Sequence, residues 1–127
     1  MIINGQNITK GFNVNDKTQP FTEQILSLLK DIETRNTNSL KSLIGKRVAI
    51  IKTGCGVATI VGLVDIVDVI IYHNENEFRK DENRHLVSKG NKFDIKANSI
   101  KYGYVLANVE ACNAIAIKNR GIVIRNI

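Results

Sequence analysis

Six consecutive residues, Lys30-Asp31-Ile32-Glu33-Thr34-Arg35, hold the densest set of reactive side chains in the sequence. An extended backbone here puts Asp31, Glu33 and Arg35 on one face and Ile32 and Thr34 on the other. Arg35 offers a planar fork to a phosphate or a carbonyl edge, and Glu33 accepts from amino or hydroxyl groups. Lys30, if partly desolvated, can serve as a base or nucleophile. The plainer alternative is a solvated cluster of local ion pairs, each worth less than about 1 kcal/mol.

Other groups are weaker. Thr53-Gly54-Cys55-Gly56 presents backbone N–H groups that an anion can use, but it lacks the P-loop spacing and the following Lys-Ser/Thr. A hairpin turn is the better reading of it. Cys55 and Cys112 form no C-x-x-C pair and, with His73 and His85, make no zinc spacing. Two reduced thiols, no metal and no cofactor are therefore expected. His85 sits among Asp81, Glu82, Asn83 and Arg84 and reads as a solvated loop histidine. Asp65 and Asp68 differ in strand parity and make a poor acid–base pair. Tyr102 and Tyr104 share parity, so they either form a stacking platform for a base or supply core.

These residues need elements to position them. Pro20 suits the first position of a helix, and Phe21, Ile25, Leu28 and Leu29 follow at helical spacing, with Thr22, Glu23, Gln24 and Ser27 on the polar side. A helix over residues 20–30 is predicted. Residues 31–35 read as a short strand, 36–39 as a turn, and 39–45 as one helical turn ended by Gly45. Lys46–Lys52 and Val57–Tyr72 are β-branched runs that pair as an antiparallel hairpin, with Gly62 as the place for a bulge. Residues 73–82 suit a short helix anchored by Phe78. Tyr102–Glu110 reads as a strand. Residues 114–117 and 122–125 read as a closing hairpin around 118–121. Ile2, Ile3 and Ile8 suggest only a short edge strand in an otherwise loop-like stretch. The pattern is α+β: one main amphipathic helix and short accessory helices on a small, strongly curved sheet or barrel.

The whole chain has 127 residues, 43% apolar and 24% charged, an ordinary globular mix. One domain is expected over 1–127, with 1–19 an N-terminal extension and 20–127 the core. The net charge of +6 favours a polyanionic partner. It is uneven: residues 96–127 carry Lys96, Lys101, Lys118, Arg120 and Arg125 against Glu110 alone. Lys101, Lys118, Arg120 and Arg125 thus suit a phosphate-backbone-binding face, or equally the protection of an edge strand. The longest apolar stretch is broken by Asp65 and Asp68, so no membrane span is expected. The first residues lack a basic n-region and a long apolar run, so a cytoplasmic protein is expected.

Residues 25–35 resemble the signature of ASCH domains, a branch of the PUA-like superfamily, in which a helix carrying I-L-x-G-x-K leads to T-x-E-x-R. Here Ile25, Leu26, Lys30, Glu33 and Arg35 match, while Leu28 stands at the glycine and Asp31 at the threonine. Gly45–Ile50, Ile60–Ile70 and Tyr102–Leu106 resemble the later family strands in order, with Tyr104 where tryptophan is common. The resemblance implies a PUA-like β-barrel whose cleft, lined by the K-x-x-E-x-R residues, binds RNA or a nucleotide-like ligand. Lys30, Glu33 and Arg35 would contact it and Tyr104, with Tyr102, would stack. The resemblance also implies an alternative, because some small members hydrolyse acetylated cytidine with a Lys, a Thr and a Glu. The Lys matches Lys30. The Thr position falls on Glu33, with Thr34 beside it, and the Glu falls on Glu75, Glu77 or Glu82. A third reading is a protein-interaction module with an inert cleft.

Overall fold

The computed structural model describes residues 1–118 and 120–127. The chain runs β1 (Ile2–Ile3), β2 (Gln6–Asn7), β3 (Lys10–Asn15), α1 (Phe21–Leu26), β4 (Ile32–Arg35), a 3₁₀ turn (Lys41–Leu43) and β5 (Lys46–Thr53). It continues through β6 (Thr59–Tyr72), α2 (Glu75–Lys80), α3 (Glu82–His85), β7 (Lys101–Ala116) and β8 (Ile124–Asn126). β1 and β2 form a small hairpin, and the other strands form a six-stranded sheet in the order β4-β7-β6-β5-β3-β8. Every pairing is antiparallel except β3 with β5. The sheet curls into a half-barrel with the short helices packed against it.

The β5 run Val48-Ala49-Ile50-Ile51 is buried on both faces, which is why it reads as continuous apolar sequence. Val48 and Ile50 join the main core with Phe12, Val14, Phe21, Ile25 and Tyr104. Ala49 and Ile51 join a second cluster with Ile3, Ile8, Ile60 and Leu63 on the other side. The long β6–β7 ribbon turns between these cores through three register shifts. One falls between Ile60 and Gly62, at the glycine the sequence marks, and a Cβ at Gly62 would lie 2.7 Å from the Glu110 carbonyl oxygen.

Four differences from the sequence reading stand out. First, residues 1–19 are not an extension outside the core. β3 lies inside the sheet between β5 and β8, and Phe12 and Val14 are buried. Second, α1 ends at Leu26, and Leu28 and Leu29 are exposed while Thr22 is buried. Thr22 is held by Asp16, whose carboxylate accepts the Thr22 N–H at 3.0 Å and its hydroxyl at 2.5 Å. Third, the described residues form no closing hairpin. β8 crosses to pair antiparallel with β3, because β3 needs a partner on its second edge. Residue 119, inside the expected turn at 118–121, lies outside the described residues. Fourth, His85 is fully buried rather than solvated.

Candidate ligand-binding site

β4 delivers the signature residues to a cavity of about 270 Å³. Its charged wall is Lys30, Glu33, Arg35 and Lys101. Its apolar wall is Phe21, Phe93, Val87 and Ile122, with the two phenyl rings edge to face at 5.8 Å. Asn13, Asn15, Thr34, Asn36 and Thr53 complete it with polar groups. β4 supplies Glu33 and Arg35, and the turn that joins α1 to it swings Lys30 inward beside them.

Lys30 is 1% exposed. Its ammonium donates to the His85 carbonyl at 2.5 Å, lies 3.4 Å from Glu33 Oε1, and stands 4.8 Å over the Phe21 ring centroid. Burial pulls its pKa below the ordinary lysine value, and Glu33 opposes that shift. Glu33 is nearly buried, and its other oxygen accepts from Arg35 Nη2 at 2.8 Å. The same Nη2 donates to the Asn13 carbonyl at 2.5 Å. One carboxylate is thus shared between two cations. Asp31, the signature departure beside Lys30, is occupied elsewhere, pairing with Arg84 at 3.0 Å on the outer side.

Several expected site residues lie elsewhere. Tyr104 is no stacking platform. It is 1% exposed, and its hydroxyl accepts the Leu40 N–H at 3.3 Å within the main core. It pairs with Glu33 across β4 and β7, and Tyr102 with Arg35, but the Phe21 and Phe93 rings, not theirs, face the cavity. Tyr102 is half-buried against the core. Lys101 is not a surface residue: at 4% exposed it belongs to the cavity wall, and burial lowers its pKa. Lys118 and Arg120 are exposed, while Arg125 is half-buried and donates to Asn13 Oδ1 at 2.9 Å. Glu75, Glu77 and Glu82 all lie outside the cavity. They pair with Lys89, His73 and Arg79 respectively.

The sequence reading missed Asn13, Phe21 as a site residue, Phe93, and Lys101's position. Asn13 is the hub of one wall. Its side-chain amide donates to the Gly121 and Ile122 carbonyls at 2.9 and 2.8 Å, which fixes the 121–123 segment at the rim. The signal was present as the alternation Gly11-Phe12-Asn13-Val14-Asn15, a period-two pattern. No comparable pattern marks Lys101. Among the described residues no three His, Cys, Asp or Glu side chains cluster as a metal site would require, and no helix is long and apolar enough to cross a membrane.

A curled, mostly antiparallel half-barrel with a charged cavity at the helix-to-strand turn defines a PUA-like fold. Comparison with solved structures places that fold more narrowly. A mutant ASCH protein from Zymomonas mobilis, with serine replaced by alanine, superposes with a TM-score of 0.74 at 12% identity, covering 93% of this chain and 87% of that one. Another structure of ASCH from Zymomonas mobilis gives 0.67 at 12% identity, over 85% and 73%. A tyrosine-to-phenylalanine mutant gives 0.66 at 13%, over 85% and 75%. The chain has the ASCH fold. No family model matches the sequence, and no curated protein matches it.

Proposed function

We propose that the cavity binds a nucleotide-like ligand, free or displayed by an RNA. The carrying observation is that Lys30, Glu33 and Arg35 meet in one open-mouthed pocket with an aromatic wall. Arg35 and Lys30 donate to base or phosphate oxygens, Glu33 accepts from an amino group, and Phe21 and Phe93 pack on the base. The ASCH-fold likeness supports the same reading. Lys118 and Arg120, exposed near the rim segment, steer a polyanion toward it.

A titration with short single-stranded RNA at low and high salt tests this. Binding should weaken with salt and fall at least tenfold in Arg35→Ala, about 1.4 kcal/mol. Binding that ignores Arg35 would place the contact on the exposed basic residues and overturn the cavity reading. One observation favours a second reading, amide hydrolysis of an acylated cytidine. Lys30 is a buried lysine of lowered pKa, with Glu33 and Thr34 in the same cavity. Turnover of acetylated cytidine, lost in Lys30→Ala, would put that reading first.

A further inference from the structure

Lys101 brings a cation to the cavity wall that no carboxylate pairs directly. The residue is 4% exposed and lines the wall, and its side chain makes no hydrogen bond or ion pair with any described residue. The acids near it are already engaged. Glu33 gives one oxygen to Lys30 and the other to Arg35. Asp94 gives Oδ1 to Arg79 at 2.6 Å, and its Oδ2 accepts the Gly90 N–H at 2.9 Å. Arg35 Nε is likewise buried with no acceptor among the described residues. A buried guanidinium N–H without an acceptor is costly, and the Lys101 ammonium opens onto the same cavity with no protein acceptor, so both point to a group the protein itself does not supply.

The charge of that group follows from the wall. Lys30, Glu33 and Arg35 together leave one positive charge, and Lys101 adds a second. A phosphomonoester carries about −1.5 to −2 near neutral pH and three strong acceptor oxygens. An internal phosphodiester carries only one negative charge and needs an exit for chain on both sides. The cavity of about 270 Å³ is small for that, lying below the roughly 300 Å³ lower end of drug-sized pockets. It suits one nucleotide unit, with the base against Phe21 and Phe93.

Building on the nucleotide reading of the same cavity, we propose that Lys101 and the unpaired edge of Arg35 form a phosphate subsite. The ligand is then a nucleotide bearing a phosphomonoester, either a free mononucleotide or the phosphorylated end of an RNA. Lys101 sets specificity for the phosphate, while Lys30 and Glu33 face the base or sugar.

Calorimetric titration of the full chain tests this with the four ribonucleosides, their 5′-monophosphates, and one short RNA bearing either a 5′-phosphate or a 5′-hydroxyl. At least one monophosphate should bind tenfold or more tightly than its nucleoside. Lys101→Met should abolish that difference, whereas Lys101→Arg should keep part of it. Tighter binding of the phosphorylated RNA than of the monophosphates identifies an RNA end as the source, and the reverse identifies the free nucleotide. The wild-type comparison needs no variant, so it decides the matter even if Lys101→Met fails to fold. Equal affinity for nucleoside and monophosphate overturns the subsite and leaves the nucleotide reading standing. No binding by nucleosides, monophosphates or RNA overturns both.

Discussion

At the scale of single residues, His85 shows how the site's lysine is held. Its Nδ1 accepts the Val87 N–H at 3.0 Å, which fixes the tautomer, so Nε2 carries the proton and donates to the Phe78 carbonyl at 2.8 Å. The ring stacks on Phe78 at 4.0 Å, and the His85 carbonyl receives the Lys30 ammonium. Nδ1 can take a proton only by giving up the Val87 N–H, so this bond commits the ring to the neutral form. Burial, with Lys30 and Arg79 nearby, outweighs the Phe78 carbonyl and Glu82, which favour the charged ring, and holds the imidazole pKa below its ordinary value of 6.5. The folded state therefore resists a proton that the unfolded chain accepts. Stability is lost as pH falls from about 6.5 toward the lowered folded value, by at most about 1.4 kcal/mol per pH unit. Melting temperatures of the wild type and His85→Gln measured down this range should converge on acidification. Parallel curves would show that His85 does not titrate on unfolding. The sequence could not reveal this burial, because the four charged and polar neighbours of His85 describe a helix's outer face while one ring turns inward. Lys101 was hidden the same way, as a basic residue at the start of a strand. Glu33 and Arg35 were legible because alternate residues of an extended strand share a face, while Lys30 was legible only through the resemblance to the ASCH signature.

At the scale of elements, the turn from α1 to β4 decides where Lys30 points. The Leu28 N–H donates to the Ile25 carbonyl at 3.0 Å and the Leu29 N–H to the Gln24 carbonyl at 2.9 Å. That pair of bonds is a Schellman ending, whose left-handed position usually takes glycine. Leu28 occupies it with φ of +66° and is 72% exposed. The glycine of the ASCH signature falls at this residue, so the departure leaves the turn in place but strained. It also explains why a helix to residue 30 misread Leu28 and Leu29 as a buried face: their apolarity fits the period, but the chain has already left the helix. The β5–β6 hairpin and the Gly62 bulge were legible because both cores draw on one continuous β-branched run. Replacing Leu28 with glycine removes a left-handed cost of about 1–2 kcal/mol and sacrifices little packing, while adding some unfolded-state entropy. Leu28→Gly should gain about 0.5–1 kcal/mol in denaturant unfolding at an unchanged m-value. A loss of stability would mean that the exposed leucine makes contacts the strain argument ignores.

At the scale of the whole molecule, the N-terminal residues close the architecture around the site. β3 pairs with β5 through Gly11–Asn15 and with β8 through Lys10–Phe12, so it joins the chain's last strand to its central ribbon. The parallel β3–β5 pairing links segments far apart in sequence, and no local pattern announces it. The polar residues of 1–19 hid a strand whose alternate positions, Phe12 and Val14, complete the main core. Ile3 and Ile8 complete the second core, and Arg47 ties Gln6 and Glu110 across the outer face at 2.6 and 2.8 Å. Burying four such apolar side chains stabilises by roughly 1.5–3 kcal/mol each, about 6–12 kcal/mol together. That rivals the whole stability of a typical domain, about 5–15 kcal/mol. Deleting residues 1–15 would also free one edge of β5, leave β8 without a strand partner and remove Asn13, which holds the rim segment and accepts from Arg35. The truncated chain should lose its cooperative thermal transition by circular dichroism, and with it the nucleotide binding proposed for the cavity. A sharp transition near the wild-type temperature would mean that β3 only decorates the sheet, and that Arg35 keeps its orientation through Glu33 alone.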